Sequence, residues 1–410
     1  MTRRVVVTGM GCLSPLGSDW DAFSRELREG RSGISVREEL IKIDGMETCL
    51  AACIDDFKIP ADYPRKKIRS MGRVSLLATR ATEIALEDAL LTNSPLLGSG
   101  RTGISYGSTS GSPPAIQVYS RCLMKETVRG IRPTDYIQLM SHTVPANLSQ
   151  FFGVRGRIMT TCSACTAGSQ GIGFGMESIL SGRQDIMICG GSEEFHAVNV
   201  AVFDIMFATS TRNDAPHTTP RPFDRNRDGL VVGEGAATLI LEELEHAKSR
   251  NAPIYAEVLG FGTNGDGKHI TNPDSDGMRR VMAIALADAG LAPEQIDYVN
   301  AHGTATEAGD IAESSAMHAV FGSGVPTSSL KSYLGHTLGA CGAIEAWATI
   351  EMMREGWLAP TLNLDEVDPR CGDLDYIRGG IRKAKTDIAM TNNFAFGGVN
   401  TSLIFQRWDS

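Results

Sequence analysis

A chain of 410 residues with 44 glycines and an ordinary globular composition is long enough for two domains or one large duplicated unit, and it carries no low-complexity tract. Its formal net charge of -9 argues against nucleic acid as the main partner. Nine cysteines, an odd number without framework spacing, point to a reducing compartment. The start, Met1-Thr2-Arg3-Arg4, leads into too short an apolar run for a signal peptide or membrane span, so a cytoplasmic protein is expected.

Val5-Val6-Val7-Thr8 reads as a buried strand. Gly9-Met10-Gly11 after it invites a dinucleotide-binding reading, yet Pro15 interrupts the place where a phosphate-binding helix would begin and the third glycine is missing. A tight turn into a surface helix over residues 20–28 is expected instead. Arg65, Lys66, Lys67, Arg69 and Arg73 form the densest basic cluster of an acidic chain, which alone reads as a solvated face. Residues 74–91 have apolar positions at helical spacing, and 103–106 lead into a turn-rich loop over 107–114.

Residues 159–182 are the stretch around which the chain is organised. A short β-prone approach leads to Cys165, and small residues then let a helix start at once and run to Gly182. A thiol at a helix N-terminus faces unpaired N–H groups and the positive end of the dipole, so raised thiolate character is expected beside a ready oxyanion donor. Next come a buried strand over 185–189 ending in Gly190-Gly191-Ser192-Glu193-Glu194, a structured loop over 209–234, a strand over 237–241 and a charged helix over 242–250.

The second half replays the first. Residues 254–262 read as a strand, 277–291 as an amphipathic helix, 296–301 as a strand, 338–355 as a helix rich in small residues and 388–396 as a strand ending in Gly397-Gly398. The pattern predicts a duplicated α/β architecture, sheets sandwiching central helices, with a short join near Asn251. Three further stretches sit at strand or helix ends: His302-Gly303-Thr304-Ala305-Thr306, Lys331 to His336, and Asn392 to Gly398. In a duplicated sheet these ends can meet Cys165 on one face. Two histidines and a lysine in glycine-flanked loops favour catalysis over metal binding, since only Cys162-x-x-Cys165 has a paired-ligand spacing.

These motifs resemble the β-ketoacyl-[acyl-carrier-protein] synthases, condensing enzymes of the thiolase fold, over essentially the whole chain. The resemblance rests on Thr-Thr-Cys-Ser-Ala-Cys-Thr, R-P-F-D-x-x-R-D-G with G-E-G behind it, H-G-T-x-T with Gly309, Asp310 and Glu313, K-S-x-x-G-H-T-L-G-A, and N-F-x-F-G-G-V-N, in family order. It implies an α/β thiolase fold whose duplicated βαβ halves form a five-layer α-β-α-β-α sandwich, with residues 1–252 carrying the nucleophile and 253–410 the histidines and gate loop. It further implies decarboxylative Claisen condensation of an acyl group with malonyl-carrier, in fatty acid, polyene or polyketide elongation.

By the same resemblance Cys165 would be the acylated nucleophile, flanked by His302 and His336, with Lys331 holding the polar network and Glu313 anchoring Lys331. Phe396 would be the gate, its N–H joining that of Cys165 in an oxyanion hole. Thr304 and Thr306 would contact the phosphopantetheine arm, Ser110 would line the acyl pocket, and Phe394 would join the substrate site. No metal and no cofactor beyond the carrier's arm is implied. The acidic acyl carrier protein would dock near Lys66 and Arg69, with Lys125, Arg129 and Arg132 as second candidates, on an expected homodimer, a heterodimer with a related subunit being the alternative.

Cys162, Glu307 and Ala395 depart from the usual family residues, near the arm's channel and the gate. Three rivals remain open. A degradative thiolase would carry a second catalytic cysteine near the C-terminus. A non-catalytic chain-length partner would lack the nucleophile. A redox or zinc protein would be built on Cys162 and Cys165.

Overall fold

The computed structural model describes residues 3–408; Met1 and Thr2, at the head of the N-terminal reading, lie outside the described residues. The first five main strands in chain order are Val5–Leu13, Thr102–Gly107, Ile158–Thr160, Ile186–Glu193 and Gly235–Glu243. Side by side they run third, second, fourth, fifth, first. The next five, Ala256–Gly265, Tyr298–Asn300, Pro326–Ser328, Ile388–Ala395 and Val399–Arg407, repeat that order. In each set the second strand is parallel to the third and fourth, and the fifth is antiparallel to both neighbours. The two first strands pair antiparallel at Val6–Glu257 and Val7–Ala256, so one sheet continues into the other.

Helices fill the remaining layers. Arg73–Asp88 and Thr143–Phe152 cover the outer face of the first set, Ser275–Ala289 and Glu307–Phe321 that of the second. Ala167–Leu180 and Cys341–Glu355 lie between and touch strands of both sets, completing the expected five-layer sandwich. These inner helices are mostly apolar or small around their circumference, as helices packed between two sheets must be, and residues 341–353 are buried without exception. Among the described residues no helix is long and apolar enough to cross a membrane.

The expected turn at Gly9-Met10-Gly11 is instead mid-strand. A Cβ on Gly9 would come 2.6 Å from Ala89 Cβ and one on Gly11 2.7 Å from Ala85 N, so both glycines let helix Arg73–Asp88 lie against the strand backbone. Gly260 and Gly262 do the same in the second half, where a Cβ would come 2.8 Å from Ala289 Cβ and 2.8 Å from Ala285 N. The G-x-G pair marks a helix–strand contact that both halves share.

Gly11→Ala should therefore cost at least about 2 kcal/mol through forced displacement of that helix, whereas Gly324→Ala, where a Cβ meets nothing within 4 Å, should stay within about 0.5 kcal/mol. Thermal and urea melts of the two variants check this; equal melting behaviour would count against the packing argument.

Candidate active site

Cys165 sits in a single 3₁₀ turn, Ala164–Thr166, at the head of the inner helix Ala167–Leu180. Ala164 before it has φ +52°, a left-handed conformation that a non-glycine residue holds at a cost of about 1–3 kcal/mol. The matching position of the second half repeats this: Leu338, φ +48°, opens the turn Leu338–Ala340 before helix Cys341–Glu355. The two helix starts lie against each other. A Cβ on Gly168 would come 2.8 Å from Ala343 N, and one on Gly342 2.8 Å from Ser169 N. Only side-chain-free positions permit this approach, and it carries His336 onto Cys165.

His336 Nε2 lies 2.9 Å from Cys165 Sγ. The Leu338 N–H donates to His336 Nδ1 at 3.2 Å. In a neutral ring that leaves the proton on Nε2, facing the sulfur. The ring of His302 meets that of His336 edge to face, centroids 5.1 Å apart, and the ring of Phe394 at 5.8 Å. His302 Nδ1 is buried and unpartnered. Burial holds both imidazoles well below their ordinary 6.5, and the positive charge of Lys331 lowers them further. Both rings are therefore neutral near pH 7 and each offers one N–H.

The expectation of a thiolate-leaning Cys165 is corrected. Burial pushes its thiol up to about 12, while the charge of Lys331 and the residue's own backbone N–H pull the other way without prevailing. Dehydration outweighs the helix terminus here because the sulfur is buried. The same dry environment suits a neutral thioester and strengthens every nearby N–H donor.

Lys331 is fully buried, and its ammonium is bound by Glu345, whose other oxygen accepts from Asn393 Nδ2 at 2.7 Å. Burial works against the lysine's charge, but Glu345 and its neighbours more than offset it and raise Lys331 above its ordinary value. The expected anchor, Glu313, is engaged elsewhere: its two oxygens accept the N–H groups of His302 and Gly303, each at 2.7 Å. Glu313 thus fixes the backbone under His302, and Glu345 holds Lys331. The signal for Glu345 is in the sequence, a carboxylate within the otherwise small and apolar run A-I-E-A-W-A.

The R-P-F-D-x-x-R-D-G motif braces the His302–Thr306 loop. Asp310 accepts Phe223 N–H at 2.7 Å and Ala305 N–H at 3.1 Å, Arg227 Nε donates to Thr306 O at 3.3 Å, and Arg227 pairs with Asp368 at 2.7 Å. A cavity of about 210 Å³ runs to the sulfur and brings together Cys165, His302, His336, Glu313, Thr304, Thr306, Phe394 and Phe396. The hydroxyls of Thr304 and Thr306 are 2.9 Å apart. Phe396 is 37% exposed and leans on Phe203 at 5.4 Å, ahead of Gly397 and Gly398 at φ +90° and +68°. Phe203 and Ile270 at this mouth were not singled out from the sequence, because they lie outside its glycine-marked strand ends.

Ser110 does not line this cavity; its hydroxyl donates to Gly111 O, and its loop packs beside Cys162, whose S–H donates to Thr109 O at 3.1 Å. Cys162 and Cys165 are both free thiols. Among the basic residues, Lys66, Lys67, Arg69 and Arg132 line one surface groove, whereas Lys125 and Arg129 are exposed but do not line it.

Residues 2–247 match the sequence family described as "Beta-ketoacyl synthase, N-terminal domain", and residues 255–365 match "Beta-ketoacyl synthase, C-terminal domain". The chain is 38% identical over 417 residues to the 3-oxoacyl-[acyl-carrier-protein] synthase 2 of Coxiella burnetii, with 99% of each covered. It is similar to the crystal structure of a beta-ketoacyl synthase from Burkholderia phymatum, TM-score 0.98 at 54% identity, over 99% of this chain and 100% of that one. It is also similar to the ishigamide ketosynthase/chain length factor, TM-score 0.90 at 33% identity, with 100% of both covered.

The two depressed imidazoles set an acid limit. Each is neutral when folded and titrates near 6.5 when unfolded, so its contribution to stability is complete above that pH and is lost as pH falls below it. Between pH 7 and pH 5 the His336→Ala protein should lose less stability than wild type, by up to about 2 kcal/mol. Urea titrations at both pH values check this, and parallel losses would show that His336 is already charged in the folded chain.

Proposed function

Because the chain belongs to the β-ketoacyl synthase family, we propose that it condenses an acyl group with malonyl-carrier, releasing carbon dioxide and β-ketoacyl-carrier. The observation that carries this reading is the meeting of Cys165, His336 and His302 in one buried site, with sulfur and Nε2 2.9 Å apart. In the first step Cys165 sulfur attacks the acyl thioester; the carrier's thiol leaves with the proton and a neutral acyl-cysteine remains. In the second, the bond to the malonyl carboxylate breaks and carbon dioxide departs. The electron pair becomes an enolate whose oxygen takes the N–H groups of His302 and His336. The enolate carbon then bonds to the acyl carbonyl, the C–S bond breaks, and the released Cys165 thiolate takes a proton from water to restore the thiol.

Neutral imidazoles suit this role: each supplies an N–H without adding a charge that would bind the malonyl carboxylate and hold it in place. The backbone N–H of Cys165 and that of Phe396 receive the tetrahedral oxyanion, Thr304 and Thr306 bind the pantetheine arm at the mouth, and Phe394 walls the substrate site. Phe396 swings against Phe203 as the gate.

The carrier partner is an acidic acyl carrier protein, docking over the groove of Lys66, Lys67, Arg69 and Arg132; Lys125 and Arg129 extend the basic surface. The protein works in the cytoplasm as a homodimer, supported by the edge strand Ile158–Thr160, where Ile158 is 47% exposed. A paired chain-length subunit remains the alternative assembly, as in the ishigamide complex. A metal reading is favoured by one observation, that ligand atoms of Cys165, His302 and His336 lie within 4.8 Å of one another.

Incubation with a panel of acyl-carrier thioesters, followed by intact-mass measurement, tests the reading. Wild type should gain one acyl group and Cys165→Ala none. Failure of wild type to acylate with any chain, or stoichiometric zinc in the purified protein, would overturn it.

A further inference from the structure

Glu193 is a fully buried carboxylate at the end of strand Ile186–Glu193 that the mechanism above does not use. Its Oε2 accepts the N–H of Thr109 at 3.0 Å and the N–H of Gly339 at 3.0 Å, and the Thr109 hydroxyl binds the same oxygen. These donors belong to different parts of the fold. Thr109 stands in the 107–112 loop, and its carbonyl accepts the thiol of Cys162, three residues before the nucleophile. Gly339 stands in the turn Leu338–Ala340, next to the Leu338 whose N–H fixes His336 Nδ1. A Cβ on Gly339 would come 2.7 Å from Thr109 N, so loop and turn touch at this point, and the carboxylate bridges their N–H groups.

The carboxyl is expensive to hold here. Burial pushes it up to about 8, against the pull of the Thr109 and Gly339 N–H groups, and Glu194 adds its own charge. A leucine of similar volume would fill the space without that cost, but it would leave two buried N–H groups unpaired.

We propose that Glu193 is a positioning residue for the condensation: it clamps the 107–112 loop to the turn after His336 and thereby keeps Leu338 N–H on Nδ1 and the His336 proton on Nε2. The inference rests on the condensing reading and deepens it. It predicts a split between the two half-reactions. Acylation needs Cys165 and the oxyanion donors, while enolate formation needs the His336 N–H, so loss of the clamp falls mainly on the second.

The test uses the full chain, acylated with a carrier thioester and then mixed with malonyl-carrier, in wild type, Glu193→Ala and Glu193→Gln. Glu193→Ala should condense at least tenfold more slowly with acylation changed less than threefold, and Glu193→Gln, whose amide oxygen still accepts both N–H groups, should recover to within threefold of wild type. If Glu193→Ala does not fold, Glu193→Asp replaces it; its carboxyl reaches one donor at a time and should show the same split at smaller size. Equal losses in both half-reactions, no loss in either, or no recovery with glutamine overturns the clamp. A wild-type protein that never acylates overturns the condensing reading itself and takes this inference with it, a result distinguishable from the others by the first mass measurement.

Discussion

The inner helices Ala167–Leu180 and Cys341–Glu355 meet start to start, and at their meeting point no side chain stands between the backbones: Gly168 faces Ala343, and Gly342 faces Ser169. Everything catalytic follows from that approach. Each helix is entered through a left-handed residue, Ala164 or Leu338, which turns the chain sharply enough for the next residues to point into the interface. One half uses the turn to present the thiol that follows it; the other uses the N–H of its turn residue, Leu338, to hold the imidazole of His336, two residues earlier, against that thiol. Duplication supplied two equivalent corners, and the chemistry comes from filling them differently.

Sealing these corners between two sheets has an electrostatic consequence. Water is the strongest stabiliser of charge; its removal raises the Cys165 thiol further than the Lys331 charge and the backbone N–H pull it back, and it lowers both histidines in the same direction as Lys331. The resting site is thus neutral around one charge, the Lys331 ammonium, which is held by Glu345 and Asn393. A single fixed positive charge in a dry site acts over a long reach. It pulls the Cys165 thiol down, though not far enough to offset burial, and it keeps the imidazoles neutral.

Much of this was legible in the sequence because strand–glycine punctuation is local. Cys165, His302, His336 and Lys331 all sit at element ends that short motifs mark, and the duplicated order of strands follows from matching patterns in the two halves. What was missed depended on packing between distant segments. Gly9-Met10-Gly11 looked like a turn because nothing nearby shows that residues 81–89 lie on it. Glu313 was paired with Lys331 on the strength of resemblance, but its distance from the backbone of His302 is set by its own helix, and Glu345 reaches the lysine from another. Thiolate character was read from the helix terminus alone, since burial is invisible until the layers close.

Two neutral imidazoles are proposed to hold the enolate. The most direct test of that role is the rate of carbon dioxide release from malonyl-carrier by protein already acylated at Cys165, comparing wild type with His302→Ala and His336→Ala in a single turnover. Each variant should retain its acyl group and release carbon dioxide about a hundredfold or more slowly. Release within about threefold of wild type from either acylated variant would contradict the role, because a buried N–H donor worth so little is not what stabilises the enolate.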